Sequence, residues 1–156
     1  MKLIFFQFLS ELYKMSFIEE YKDNLFNCSQ NSCLAHCVSQ DYEMGKGIAV
    51  IFKKIFGRVS ELQAQNKQVG ECSILSYQDR YIYYLVTKEK YWHKPTYETL
   101  QSSLIDMKKH AIENNIKVIS IPQIGCGLDK LKWTQVKEIL VKVFEETGIK
   151  IHVYSI

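Results

Sequence analysis

Residues 118–133 read VISIPQIGCGLDKLKW. A short apolar run ends at Pro122, a glycine-containing turn follows at Gly125-Cys126-Gly127, and one carboxylate, Asp129, precedes a helix-like segment. Glycine permits positive φ and lets a ligand come close to the backbone. In α/β folds, ligands sit in the crevice beyond the carboxyl ends of the strands. An apolar run ending in such a loop therefore reads as a buried strand that delivers its loop to a ligand.

Working outward, the neighbouring segments supply the rest of such a fold. SFIEEYK (16–22) alternates as an edge strand, and SCLAHCVS (32–39) is a continuous small and apolar run suited to a central strand. MGKGIAVIFKKIFG (44–57) predicts a glycine-opened helix with Ile48, Ile51, Phe52 and Ile55 at helical spacing and Gly57 as its stop. ECSILSY (71–77) and RYIYYLVTK (80–88), joined by Gln78-Asp79, predict a hairpin. In residues 95–115, Pro95 marks a first turn and Leu100, Leu104, Met107 and Ala111 share one helical face. KVISIP (117–122) is a strand. WTQVKEILVKVFEETG (133–148) is an amphipathic helix, and IKIHVYSI (149–156) is a final strand. Strands alternating with helices, plus one hairpin, predict an α/β domain with a mixed central sheet and helices on both faces.

The chain has 156 residues, enough for one domain with its own core. A net charge of +3 permits anionic ligands without arguing for nucleic acid by itself. The five cysteines, Cys28, Cys33, Cys37, Cys72 and Cys126, are odd in number and lack paired CxxC spacing, which predicts reduced thiols in a nuclear or cytoplasmic protein. Cys33, His36 and Cys37 lie close in sequence, but no second ligand pair follows, so no metal site is expected. Residues 1–15 are too short and too polar to span a bilayer. They read as an appended helix or as an extension ahead of a second start at Met15 in preference to a poor signal peptide, with the domain occupying 16–156.

Two glycine loops follow predicted central strands, Met44-Gly45-Lys46-Gly47-Ile48 and Gly125-Cys126-Gly127-Leu128. Unpaired N–H groups at such places attract anions, above all phosphates, although glycines also serve as plain turns. The first loop lacks the GxxxxGK[ST] form, which disfavours a nucleoside triphosphatase. Asp129 is either a helix cap or solvated charge, or a reactive carboxylate. Lys88 ends its strand either as a solvent-facing charge or as a nucleophile among apolar and aromatic neighbours. His36 reads as a hydrogen-bonded core histidine. Trp92, Trp133 and Tyr97 read as packing residues able to stack on a ligand.

From about Phe17 to Ile156 the sequence resembles the macrodomain family, and within it the branch of terminal ADP-ribose protein glycohydrolases and O-acyl-ADP-ribose deacylases. The matching runs are SCLAHCVSQDYEMGKGIAVIFKKIFG, RYIYYLVTK, HKPTYETLQ and PQIGCGLDKLKW, in the expected order. The resemblance implies a three-layer α/β/α sandwich with a mixed sheet and an ADP-ribose cleft. It implies that Gly45, Gly47 and Ile48, with Gly125, Cys126, Gly127 and Leu128, hold the diphosphate and distal ribose. Leu25, Ser39, Gln123, Ile124 and Ile156 fall on cleft-lining positions. Lys88 falls on the family's catalytic lysine and Asp129 on its catalytic aspartate. One departure stands out: Asn24 occupies the position of an aspartate that accepts a hydrogen bond from the adenine amino group. An amide oxygen still accepts such a bond, without the strengthening charge.

The implied activity is hydrolysis of ADP-ribosyl esters on glutamate or aspartate side chains and deacylation of O-acyl-ADP-ribose, with no cofactor. The alternative is a non-catalytic reader of ADP-ribose, which the Asn24 departure favours. The implied partners are ADP-ribose and ADP-ribosylated proteins, with ADP-ribosylated nucleic acid a further acceptor among relatives. No membrane partner and a monomeric state are expected.

Overall fold

The reason for a central sheet is visible in one strand. From Ile82 to Val86 every residue is fully buried, so the strand must be covered on both faces. The computed structural model describes residues 2–156, and for residues 10–16 the backbone alone. In chain order the elements are α1 (Lys2–Ser16), β1 (Ile18–Lys22), β2 (Cys33–Ser39), α2 (Ile48–Phe56), α3 (Val59–Ala64), β3 (Cys72–Tyr77), β4 (Arg80–Lys88), α4 (Tyr97–Glu113), β5 (Val118–Pro122), α5 (Trp133–Phe144) and β6 (Lys150–Ser155). They form one six-stranded sheet in the order β1-β6-β5-β2-β4-β3. Among the described residues only the β3–β4 pairing is antiparallel, so the sheet is mixed.

Alternation along the strands divides the core in two. Cys33 and Ala35 of β2 and Tyr83 and Leu85 of β4 point to the face covered by α4 and α5. Leu34 and Val38, with Ile82, Tyr84 and Val86, point to the face covered by α2 and α3. The period of two in strands puts successive side chains on opposite faces, and the result is a three-layer sandwich. On α4, Leu100, Leu104, Met107 and Ala111 are all fully buried, as their spacing predicts. Burial of each large side chain is worth about 1.5–3 kcal/mol. The helix begins with reciprocal hydrogen bonds: Thr96 Oγ1 accepts from the Thr99 N–H and Thr99 Oγ1 from the Thr96 N–H, each at 3.1 Å.

Three features differ from the sequence reading. Within α2 the buried residues are Phe52 and Phe56, whereas Ile51 and Ile55 are exposed at 42% and 44%. The apolar stripe runs 48, 52, 56 because the two phenylalanine rings fit against Tyr84 and Tyr77 of the sheet. The short helix α3 has no sequence signal of its own. It follows Arg58, which sits in the left-handed region at φ 56°, and buries only Leu62. His36 is buried as expected but is not hydrogen-bonded. Both ring nitrogens lack a partner, and the ring stacks on Phe52 at 3.8 Å.

Helix α1 covers the stretch read as an extension, and Met1 lies outside the described residues. Leu3, Ile4, Phe5, Phe6, Phe8 and Leu9 are all exposed on it. Among the described residues no helix is long and apolar enough to cross a membrane.

Candidate active site

Parallel strands deliver their carboxyl ends to one edge of the sheet, and the middle strands β2, β4 and β5 end in the loops that the sequence singled out. β2 ends at Ser39 and β4 at Lys88. Their register slips between Val38 and Ser39, so that Ser39 pairs with Lys88 and Thr87 is passed over. Such an irregularity re-aims the side chains beyond it. The Gln40 N–H then donates to the Lys88 carbonyl at 2.8 Å, fixing the end of β4 against the start of the first glycine loop.

A cleft of two lobes crosses this edge. The smaller, about 450 Å³, is lined by Asn24, Leu25, Cys126 and Ile156, together with Asp23, Phe26, Ile51 and Tyr154. The larger, about 790 Å³, is lined by Ser39, Gly45, Gly47, Lys88, Ile124, Gly125, Leu128 and Asp129. Ile48, Gln123 and Gly127 belong to both lobes and join them. Every residue that the resemblance assigns to the cleft or to catalysis therefore faces one cavity, of the size that takes small-molecule ligands.

The backbone of both loops is shaped for an anion. Gly47 is the residue before α2 and has φ 61°. Gly125 has φ 72°, and a Cβ there would lie 2.9 Å from Leu131 Cδ1. The second loop closes on itself through the Leu131 N–H to the Gly125 carbonyl at 2.8 Å and the Lys130 N–H to the Gly127 carbonyl at 3.2 Å. Among the described residues, none accepts a hydrogen bond from the N–H of Gly45, Lys46, Gly47, Gly125, Gly127 or Leu128. Two sets of free donors on the walls of one cleft are able to bind an anion.

At the far end of the larger lobe, Lys88 Nζ donates to Asp129 Oδ1 at 2.7 Å, and both side chains are 15% exposed. Cys37 also lines this lobe. Burial, and next the Asp129 carboxylate, push its thiol up to about 12, so it stays protonated and is no rival nucleophile. His36, on the floor, is pushed down to about 3 by burial and stays neutral.

Several residues here carried no sequence signal. Asp41 accepts from the Ser39 hydroxyl, from the Glu43 N–H at 3.2 Å and from the Tyr91 N–H at 3.1 Å. Burial raises its carboxyl, but these hydrogen bonds together outweigh burial and hold it below the usual range. Lys94 Nζ donates to the Leu128 carbonyl at 2.6 Å, tying the segment after β4 to the second glycine loop. Of the three aromatic candidates, only Trp92 lines the cleft. Trp133 Nε1 donates to Glu20 and the Tyr97 hydroxyl accepts from the Lys132 N–H. Asn24 Oδ1 accepts from the Phe26 N–H at 2.9 Å, capping a 3-10 turn at the rim of the smaller lobe. Among the described residues no group of three or more His, Cys, Asp or Glu side chains stands where it could hold a metal ion.

A family model described as Macro domain matches residues 35–140. The human ADP-ribose glycohydrolase OARD1 is 53% identical over 135 residues, covering 86% of this chain and 89% of that protein. The Bos taurus protein of the same name is 52% identical over 135 residues, with the same coverage of both chains, 86% and 89%. The macrodomain of Mycobacterium tuberculosis DarG superposes with a TM-score of 0.80 at 21% identity, covering 89% of this chain and 97% of that one, a likeness of fold.

Proposed function

The chain belongs to the macrodomain family, and from that premise we propose that it is an ADP-ribose glycohydrolase acting on ester-linked ADP-ribose. The observation that carries this reading is the Lys88–Asp129 contact of 2.7 Å in the same lobe as both glycine loops. A reader module needs the two loops and no nucleophile. The pair supplies what a reader lacks.

In this reading the base and proximal ribose occupy the lobe of Asn24, Leu25 and Ile156. The diphosphate lies on the backbone donors of Gly45, Lys46, Gly47, Gly125, Gly127 and Leu128. The distal ribose then meets Lys88. The amine attacks the anomeric carbon as its free base, so its proton leaves first, and the Asp129 carboxylate is the acceptor within reach. The Lys88 Nζ–C1 bond forms as the C1–O bond to the acceptor breaks, and the acceptor departs as a carboxylic acid with the proton that Asp129 held, which leaves Asp129 a carboxylate again. Water then attacks the same carbon with Asp129 taking its proton. The C1–N bond breaks, and ADP-ribose and the lysine amine are restored. Partial burial of both groups strengthens the hydrogen bonding that steers these transfers. No metal or cofactor enters any step.

The proposed substrates are glutamyl and aspartyl esters of ADP-ribose on proteins, and O-acyl-ADP-ribose in the isomer that carries its acyl group on the anomeric oxygen. The five cysteines are free thiols, which supports a nuclear or cytoplasmic location. The test is one incubation with O-acetyl-ADP-ribose and one with a glutamate-ADP-ribosylated protein, each read by mass spectrometry. Release of ADP-ribose and a lysyl adduct are expected. Tight binding of ADP-ribose with no turnover of either substrate would leave the reader in its place.

A further inference from the structure

Leu128 and Asp129 are the two central residues of a β-turn, closed by the Lys130 N–H donating to the Gly127 carbonyl at 3.2 Å. The peptide between the central residues of such a turn takes one of two orientations, and in the second of them the later residue has positive φ. Leu128 and Asp129 both lack positive φ, which marks the first orientation. That peptide carries the Leu128 carbonyl and leads directly into the residue whose carboxylate meets Lys88. Its orientation therefore sets where the Asp129 side chain starts from.

Lys94 holds that peptide. It lines the same lobe, and its Nζ donates to the Leu128 carbonyl at 2.6 Å. The backbone that presents the lysine is fixed on both sides. Before it, residues 90–93 turn through the His93 N–H to the Lys90 carbonyl at 2.9 Å, and Asp41 takes the Tyr91 N–H at 3.1 Å. After it come the buried Pro95 and then Thr96, whose hydroxyl caps α4. The ammonium thus reaches the carbonyl from a rigid base, and a charged donor makes a stronger hydrogen bond than a neutral one.

We propose that Lys94 is a positioning residue for Asp129, acting through the Leu128 carbonyl and needed chiefly for hydrolysis of the lysyl adduct. The proposal rests on the hydrolase reading of the same lobe. Before reaction, Asp129 is held twice, by the Lys88 amine on its side chain and by Lys94 on its backbone. Once the Lys88 nitrogen carries the sugar, the carboxylate has to serve the incoming water instead, and the hold on Asp129 rests on its backbone. A general base must lie within hydrogen-bond reach of the proton it takes, and a small misplacement is costly in rate. Formation of the adduct makes less demand on Lys94, because Lys88 itself then orders the carboxylate.

The test compares the parent with Lys94→Met, which keeps the aliphatic stem, and Lys94→Arg, which keeps a charged donor. The substrate is the anomeric isomer of O-acetyl-ADP-ribose. In Lys94→Met, kcat should fall at least about tenfold. KM should fall with it and leave kcat/KM within about threefold, because kcat/KM reports only the steps up to adduct formation. The lysyl adduct should accumulate in the intact-protein mass spectrum. Lys94→Arg should keep kcat within about threefold of the parent. An unchanged kcat in Lys94→Met overturns the proposal. So does a fall in kcat/KM with no adduct, the mark of a lysine that binds the ligand or supports the fold. Lack of turnover by the parent strikes the hydrolase reading alone. In that event amide hydrogen exchange at Lys130, whose N–H closes the turn, decides the positioning role. A rise of about tenfold in Lys94→Met supports it, and an unchanged rate overturns it.

Discussion

Lys88 and Asp129 stand 41 positions apart in the chain and meet at 2.7 Å, Nζ to Oδ1, at the ends of different elements. The sheet brings them together, since β4 delivers the lysine and the loop after β5 delivers the carboxylate. Lys88→Ala is expected to lower turnover of O-acetyl-ADP-ribose by a factor on the order of 1,000 or more. Lys88→Arg should fare no better, because a guanidinium keeps the charge but stays protonated. Asp129→Ala should slow release, so that the lysyl adduct accumulates in the intact-protein mass spectrum. A Lys88→Ala protein that turns over at the parent rate would remove the lysine from the mechanism.

Asn24 is the position at which the sequence reading expects a family aspartate, and its local role is now visible. Its Oδ1 caps the 3-10 turn through the Phe26 N–H at 2.9 Å, while its own N–H donates to Asp23 Oδ1 at 2.7 Å. A carboxylate caps such a turn equally well. Asn24→Asp should therefore leave stability within about 0.5 kcal/mol and raise ADP-ribose affinity roughly threefold to tenfold through a charged hydrogen bond to the base. Calorimetric titration of both proteins measures it, and equal affinities would remove Asn24 from base recognition.

How much of this was legible in the sequence follows from how local each signal is. The strands, the hairpin and the buried face of α4 announce themselves by periodicity within a few residues, and the two glycine loops by composition. Helix α2 misled because apolar residues occupy most of its circumference. Contacts with the sheet, Phe52 on His36 and Tyr84 and Phe56 on Tyr77, decide that these two rings turn inward while Ile51 lines the smaller lobe. Asp41 could not be read, since one of its partners is a backbone N–H 50 positions away. Lys94 is silent for the same reason, its acceptor being a carbonyl 34 positions on. His36 was expected to be hydrogen-bonded because buried polar groups usually are. Its placement between Phe52 and Tyr84 is a matter of packing alone.

The glycines of the second loop should separate folding from binding. Gly125 needs φ 72°, and an added Cβ would meet Leu131 Cδ1 at 2.9 Å. Gly125→Ala should therefore cost about 1–2 kcal/mol of stability and weaken ADP-ribose binding as the loop shifts. Gly127 has no positive φ, and nothing lies within 4 Å of its built Cβ. Gly127→Ala should leave Tm within about 2 °C while placing a methyl group where the diphosphate approaches, with ADP-ribose affinity falling at least about tenfold. Thermal melts and calorimetry on the two variants check this. Equal effects of the two substitutions on Tm would contradict the assignment of strain to one and ligand contact to the other.

His36 makes the acid side of the stability profile asymmetric. Burial between Phe52 and Tyr84 pushes it down to about 3 in the folded protein, against 6.5 for a free histidine. Between those values the unfolded chain binds a proton that the folded chain refuses, so stability rises with pH through this window. It is fully present above about pH 6.5 and drains away as the pH falls toward 3. The contribution lost between pH 8 and pH 5 is about 2 kcal/mol. His36→Phe keeps an aromatic ring against Phe52 and removes two buried polar atoms that have no partner. At pH 7 that change should be neutral or stabilising. Denaturant titrations at pH 8 and pH 5 should show the parent losing about 2 kcal/mol more than the variant across that interval. Parallel losses would mean that the imidazole accepts its proton in the folded state, through a partner or an opening of the core at that ring.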